Sequence, residues 1–176
     1  YTLKEITGIK VEITAADIPD AVVDAIKGYN GEYDAQSHDA VIIGEDANGY
    51  TVKFAEAKDG DYSSDVPRII NVADSKTVWV KISKANYADR IISVNANVNP
   101  KNLTAADLEY TGADVTKEYD GNTACDVKSV KTKTASVFGQ DITVTGKAVY
   151  DKKGTDATKV IFTADGITEG NYRLAS

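Results

Sequence analysis

The chain repeats itself, and that repetition limits what it can fold into more than any other feature. Ile13-Thr14-Ala15-Ala16-Asp17-Ile18 returns as Leu103-Thr104-Ala105-Ala106-Asp107-Leu108. Tyr29-Asn30-Gly31 returns as Tyr119-Asp120-Gly121, at the same offset of 90 residues that carries Thr14 to Thr104. Asn86-Tyr87 returns as Asn171-Tyr172 at an offset of 85, and Tyr1-Thr2-Leu3 reads like Tyr172-Arg173-Leu174. Ordered agreement of this kind predicts two copies of one module, with insertions and deletions between them, cut from a longer tandem array. A module of roughly 80–90 residues can bury a modest core unaided. The 176 residues are therefore expected to form two small domains, 1–97 and 98–176. Residues 1–12 are assigned either to the first module or to a preceding repeat or linker.

Charge and composition exclude several function classes. Hydrophobic residues make up 42% and charged residues 27% of the chain, the balance of a globular protein. The net charge is −7. Residues 1–97 hold 16 acids against 10 bases, and residues 98–176 hold 11 against 10. A nucleic-acid partner needs a basic stripe, which is missing. No apolar run reaches the roughly 18 residues of a membrane span, so no membrane insertion is expected. There is no Met, hence no starting residue; the chain reads as an excised piece of a longer protein. A single cysteine, Cys125, rules out an intramolecular disulfide, which suits the cytosol and equally a cysteine-avoiding bacterial surface protein.

β-signals dominate the chain. Val78, Val80 and Ile82 alternate along Thr77–Ile82, and Tyr50–Phe54 and Asp141–Thr145 alternate likewise. Gly146 interrupts the last of these as a bulge would. Arg90–Val94 is a further strand, and Val160-Ile161-Phe162, apolar on both faces, predicts a central one. Asn30-Gly31, Asn48-Gly49, Asp59-Gly60, Asp120-Gly121 and Asp165-Gly166 predict turns. Short strands at this spacing indicate an all-β fold, two tandem Ig-like β-sandwich modules with at most a short helical turn each. The helical hint is the repeated Thr-Ala-Ala-Asp, where Thr14 and Thr104 are candidate N-caps answered by Asp17 and Asp107. A short linker is expected near Asn97–Lys101, with Pro100 stiffening it.

At Lys117-Glu118-Tyr119-Asp120-Gly121-Asn122-Thr123-Ala124 the second module resembles the YDG domain of bacterial surface proteins, which typically opens on Lys-x-Tyr-Asp-Gly-x-Thr-Ala. It also shares that family's closing Gly-Asn-Tyr-x-Leu, here Gly170-Asn171-Tyr172-Arg173-Leu174. The first module resembles the related MBG-type bacterial Ig-like repeats at Tyr29-Asn30-Gly31, Ser37-His38-Asp39 and Val78–Tyr87. The resemblance implies stalk repeats of large adhesin-like, cell-surface or secreted proteins, without catalytic residues. The first module departs from the YDG pattern in a longer middle stretch, residues 56–76.

Few residues offer chemistry. Ser37-His38-Asp39 has the residue types of a nucleophilic triad, but neighbours on a strand point to opposite faces and cannot touch as a triad must. His38 is the only histidine, so it is expected to be satisfied or solvated. Cys125 is expected half-buried as a small apolar residue. Asp59, Asp61, Asp65 and Glu56 could offer oxygen ligands to Ca²⁺ but lack calcium-loop spacing. Asn102-Leu103-Thr104 is a glycosylation sequon, accidental in a bacterial chain. Some surface sandwiches join a Lys to an Asn beside a buried acid; no spacing singles out such a pair here.

Trp79 is the one candidate ligand contact. It shares a face with Thr77 and Lys81, opposite the apolar set, where it could stack on a sugar or anchor a partner. The alternative is a ring half-covered by a loop or by a cross-strand aromatic such as Tyr50 or Phe54. The expectation is thus a non-enzymatic, monomeric spacer of a multi-modular extracellular protein. It has no cofactor or metal, and its partners are neighbouring repeats. Two alternatives stand beside it: a module binding glycan, mucin or host protein, and an accessory region of a secreted polysaccharide-degrading enzyme.

Overall fold

The computed structural model describes residues 8, 10, 12–110, 115–133 and 137–175. Most of residues 1–12, including Tyr1-Thr2-Leu3, lie outside that set, and so does their assignment to a preceding repeat. The fold is all-β. In chain order the strands are β1 (Ile26–Gly28), β2 (Asn30–Glu32), β3 (His38–Asp39), β4 (Val41–Ile43), β5 (Thr51–Ala55), β6 (Arg68–Ile69), β7 (Lys76–Ser83) and β8 (Arg90–Asn99). There follow β9 (Lys101–Leu103), β10 (Glu109–Tyr110), β11 (Ala124–Cys125), β12 (Ser129–Lys133), β13 (Asp141–Tyr150), β14 (Val160–Ile167) and β15 (Tyr172–Leu174). One α-helix, α1 (Asp20–Asp24), and 3₁₀ turns at Glu45–Ala47, Val72–Asp74 and Ala105–Asp107 complete the described elements. Three of these helical segments precede residue 97, where a single turn was expected.

Two compact units emerge, and their boundary is not the simple cut the repeat implied. The first takes the described residues up to Tyr29 with Asp39–Pro67 and Lys76–Ala96; the second takes Asn30–His38, Arg68–Ser75 and the chain from Asn97 onward. The main boundary lies within a residue of the expected 97. The second unit, however, also recruits two stretches of the first repeat. The expected linker is absent: β8 runs to Asn99 and β9 begins at Lys101, so only Pro100 separates two strands. A ring that cannot donate to a ladder is enough to end one strand and start another.

In the first unit, β7 lies between β5 and β8, antiparallel to both. Val78, Val80 and Ile82 are at most 2% exposed, as their alternation predicts. Ile18, Val22, Ile26, Val41 and Phe54 are buried with them. Burying side chains of this size contributes about 1.5–3 kcal/mol each. α1 takes in Val22 and Val23, and Pro19 at its N-cap supplies a pre-set φ of −58°.

In the second unit β13 is the central strand. β12 and β11 pair along one part of it each, and β14 runs antiparallel beside it. The register slips between Thr145 and Gly146, the bulge the sequence announced. Val160-Ile161-Phe162 is not central. Among the described residues β14 pairs only with β13, and Ile161 is 52% exposed. Two turn predictions also fail: Asn30-Gly31 lies in β2, paired in parallel with Asn97–Asn99, and Asp165-Gly166 lies in β14. Asn48-Gly49 and Asp120-Gly121 do turn, with Gly49 and Gly121 at φ of 82° and 76°. The core joins Leu103, Leu108, Ile142, Val144 and Tyr172 to Tyr33, Ile69 and Val98.

The repeat survives as geometry at Asn-Tyr. The Tyr87 N–H donates to the Lys84 carbonyl at 3.0 Å, and the Tyr172 N–H donates to the Glu169 carbonyl at 3.1 Å. The Asn carbonyl then accepts from an earlier segment in parallel: Asn86 from Ala16 at 3.0 Å, Asn171 from Lys101 at 2.9 Å.

Candidate functional site

Trp79 stands on the outward face of β7, directly opposite Ala55 on β5 and Ser93 on β8. It is half-buried. Neither proposed aromatic cover is in place. Phe54 opposes Val80 on the buried face and is 3% exposed. Tyr50 packs edge-on against Tyr87 at 6.0 Å, with the Lys84 ammonium 4.3 Å above its ring. Beside it, the chain after β5 folds back over Ala55, the cross-strand neighbour of Trp79. Ser63 exchanges two backbone hydrogen bonds with Phe54, at 2.8 and 2.9 Å, and this folds the intervening loop back. At Gly60 the loop approaches the Ala55 Cβ so closely that a Cβ there would sit 3.7 Å away.

Polar groups ring the Trp79 face. Thr77 donates to Asn95 at 2.9 Å, and Lys81 pairs with Asp89 at 2.7 Å. Tyr62, in the loop, donates to the Lys58 carbonyl. Burial, and then the Asp59 carboxylate, hold its phenol above the ordinary value, while Lys81 pulls the other way. Tyr62 is held in this loop by its bond to Lys58. Sequence reading missed it, because a lone Tyr in an acidic loop carries no periodic signal.

The other candidates lie in separate contacts. His38 Nε2 meets Asp34, at 2.9 and 3.1 Å from its two oxygens. That hydrogen bond, with one from the Gln36 N–H, holds the Asp34 carboxyl below its ordinary value. Cys125 is half-buried on β11 opposite Ala148. Glu56 pairs with Lys76, and Asp59, Asp61 and Asp65 are exposed. Among the described residues no three metal-ligating side chains are gathered. The exposed sequon residue Asn102 accepts from the Arg173 guanidinium.

One cluster assembles what the sequence could not single out. Lys117 Nζ lies 2.7 Å from Asp120 Oδ1 and 3.0 Å from Asn122 Oδ1, and Asn122 Nδ2 donates to Asp120 Oδ2 at 2.7 Å. An amine, a carboxamide and a bridging carboxylate are the parts of a Lys–Asn crosslink. Joining them requires a neutral amine and a protonated acid, which burial would favour. Here the acid side chain is 46% exposed. The hydrogen bond from Lys117, followed by that from the Asn122 N–H, keeps its carboxyl below the ordinary value and therefore ionised. The cluster is an ion pair that fixes the Asp120-Gly121 turn.

No family model, curated protein or solved structure matches the chain, so the likeness at Lys117–Ala124, Gly170–Leu174 and the first-module segments rests on those motif residues alone.

Proposed function

We propose that the chain is a pair of tandem, Ig-like β-sandwich spacer repeats, 1–97 and 98–176, from a longer bacterial surface or secreted protein, and that it carries no catalytic activity of its own. The observation that carries this reading is the recurrence of the Asn-Tyr closure. The same turn and the same Asn carbonyl acceptor are built twice from sequences that otherwise differ. Repetition of a structural unit is a way of setting length: each added copy extends the array at little conformational cost. The described residues with catalytic potential, His38 and Cys125, sit in ordinary structural surroundings. Among the described residues no helix is long and apolar enough to cross a membrane.

The test is a series of fusions of one, two and three copies of the fragment, measured by small-angle scattering. A spacer predicts a maximum dimension that rises in equal steps. A dimension that stops rising after the first copy overturns the reading. A second reading, adhesion through Trp79, is favoured by its half-exposed ring among polar neighbours and small cross-strand partners. Binding to a panel of glycans, mucin and matrix proteins that disappears in Trp79→Ala would replace the spacer reading with that one.

A further inference from the structure

A cleft of about 330 Å³ opens in the second unit between the Val115–Tyr119 segment and the Tyr150–Ala157 loop. Its size is at the lower end of small-ligand sites. Four features define what it could hold. Tyr119 lines it and is 72% exposed, a large ring left in water. Tyr150 forms a wall. Its hydroxyl is shielded from solvent and finds no hydrogen-bond partner among the described residues, and the Lys117 ammonium lies 5.4 Å from its ring centre. Thr155, exposed and hydroxyl-bearing, also lines it.

The fourth feature is the charge balance. Lys117 is neutralised by Asp120 and Lys152 by Asp156, at 2.7 and 2.9 Å. The two remaining charges of the lining, Lys153 and Glu118, are opposite in sign. The cleft therefore has no net charge. It gives no advantage to a phosphate, a sulfated chain or a cation. It offers an aromatic face for C–H groups, hydroxyls and both signs of charged hydrogen-bonding partner. A ligand that uses all of these is uncharged, rich in hydroxyls and flat on one face.

We infer that this cleft is a binding subsite for a neutral saccharide, with Tyr119 as the stacking platform, Tyr150 as an aromatic wall, and Thr155, Lys153 and Glu118 as the polar lining. The inference is independent of the spacer reading, since a stalk repeat can carry a sugar subsite without losing its length.

The test is a titration of the isotope-labelled fragment with glucose, galactose, N-acetylglucosamine and cellobiose, followed residue by residue by NMR, with glucuronate as the charged control. The expected result is saturable shifts confined to residues 115–119 and 150–157 with at least one neutral sugar. Tyr119→Ala, an exposed substitution that leaves the core intact, should weaken that response about tenfold or more. Trp79→Ala should leave it unchanged. Absence of saturable shifts with every neutral probe overturns the inference. So does a response that survives Tyr119→Ala, one that disappears in Trp79→Ala instead, or one that is stronger for glucuronate.

Discussion

Thr14-Ala15-Ala16-Asp17 and Thr104-Ala105-Ala106-Asp107 are the same four residues, and they fold differently. The second forms a capped 3₁₀ turn in which Asp107 Oδ2 accepts from the Thr104 N–H at 2.8 Å and from its hydroxyl at 2.7 Å. The first runs on to an isolated parallel bridge between Ala16 and Tyr87, and helix begins only after Pro19. Two causes lie outside the tetrapeptide. Pro19 pushes Ile18 away from helical dihedrals, whereas Leu108 is followed by Glu109. The Asn carbonyl of the closing turn also chooses different partners. Asn86 takes the Ala16 N–H, in the middle of the motif, while Asn171 takes the Lys101 N–H, ahead of it, and leaves the motif free to turn. A local cap worth about 1 kcal/mol gives way where Pro19 opposes it and a tertiary hydrogen bond of about 1 kcal/mol takes the Ala16 N–H.

The sharpest way to break this comparison is at the shared Tyr. Tyr172 is 5% exposed, meets the Tyr33 ring edge-on at 5.4 Å and donates to Gln140. Tyr172→Ala should cost about 3–5 kcal/mol, the range for truncating a buried aromatic. Tyr87 is half-buried, packed on Tyr50 beneath Lys84. Tyr87→Ala should cost about 1 kcal/mol. Urea unfolding of both variants decides it. Equal losses would mean that the two repeats use the residue alike and that the difference in burial is without consequence.

Glycine sharpens the likeness between the units. A Cβ at Gly28 would lie 1.9 Å from the Asn95 carbonyl oxygen, and one at Gly146 would lie 2.2 Å from that of Thr163. Both obstacles are backbone and cannot swing aside. Gly28→Ala and Gly146→Ala should each destabilise by about 1–3 kcal/mol. Gly170, with open space around it and no positive φ, is the control; Gly170→Ala should be neutral or slightly stabilising. Thermal unfolding of the three variants would show a flaw in this picture if Gly170→Ala were the worst.

The capping difference is smaller and more specific. Asp107→Ala removes the acceptor for both Thr104 donors and should cost about 1 kcal/mol. Asp17→Ala, at an exposed residue, should change stability by less than about 0.5 kcal/mol. Equal effects in denaturant titrations would imply that Asp17 caps its own motif in solution.

What the sequence made legible was whatever depends on period and on local chemistry. Val78, Val80 and Ile82 had to share a face; Gly146 had to break a ladder; Thr104 and Asp107 had to answer each other. What stayed hidden depends on partners distant in sequence. Ile161 looked like the middle of a sheet because an apolar run does not say how many neighbours a strand has. Asn30-Gly31 looked like a turn because its parallel partner, Asn97–Asn99, lies more than sixty residues away. Lys117, Asp120 and Asn122 could be grouped only once the Asp120-Gly121 turn closed. Trp79 was placed on the correct face, but the loop that screens its neighbour Ala55, and Tyr62 within that loop, could not be read from alternation.

The weakest expected effect tests the units by acid. The described carboxyls held below their ordinary values belong to the second unit. The hydrogen bond from Lys101, and then that from the Asn102 N–H, lowers Glu32. His38 lowers Asp34, and Lys117 lowers Asp120. Burial raises Asp151 and Glu169, but the hydrogen bonds together outweigh it: for Asp151 those from the Lys159 and Thr158 N–H groups and the Thr158 side chain, for Glu169 those from the Thr143 N–H and the Thr168 side chain. A carboxyl with a depressed folded value stabilises the fold fully above its unfolded value, 4.5 for Glu and 3.8 for Asp. That contribution is lost as pH falls through the folded value. The second unit should therefore weaken as pH drops below about 4.5, before the first does, each exposed group adding little by itself. Amide exchange at pH 6 and pH 3 measures it: Val144 and Leu103 should lose protection on acidification while Val80 and Ile82 keep theirs. Protection lost first at Val80 would mean that acid acts through the first unit's ion pairs, such as Lys81–Asp89, and that these depressed carboxyls do not govern which unit opens.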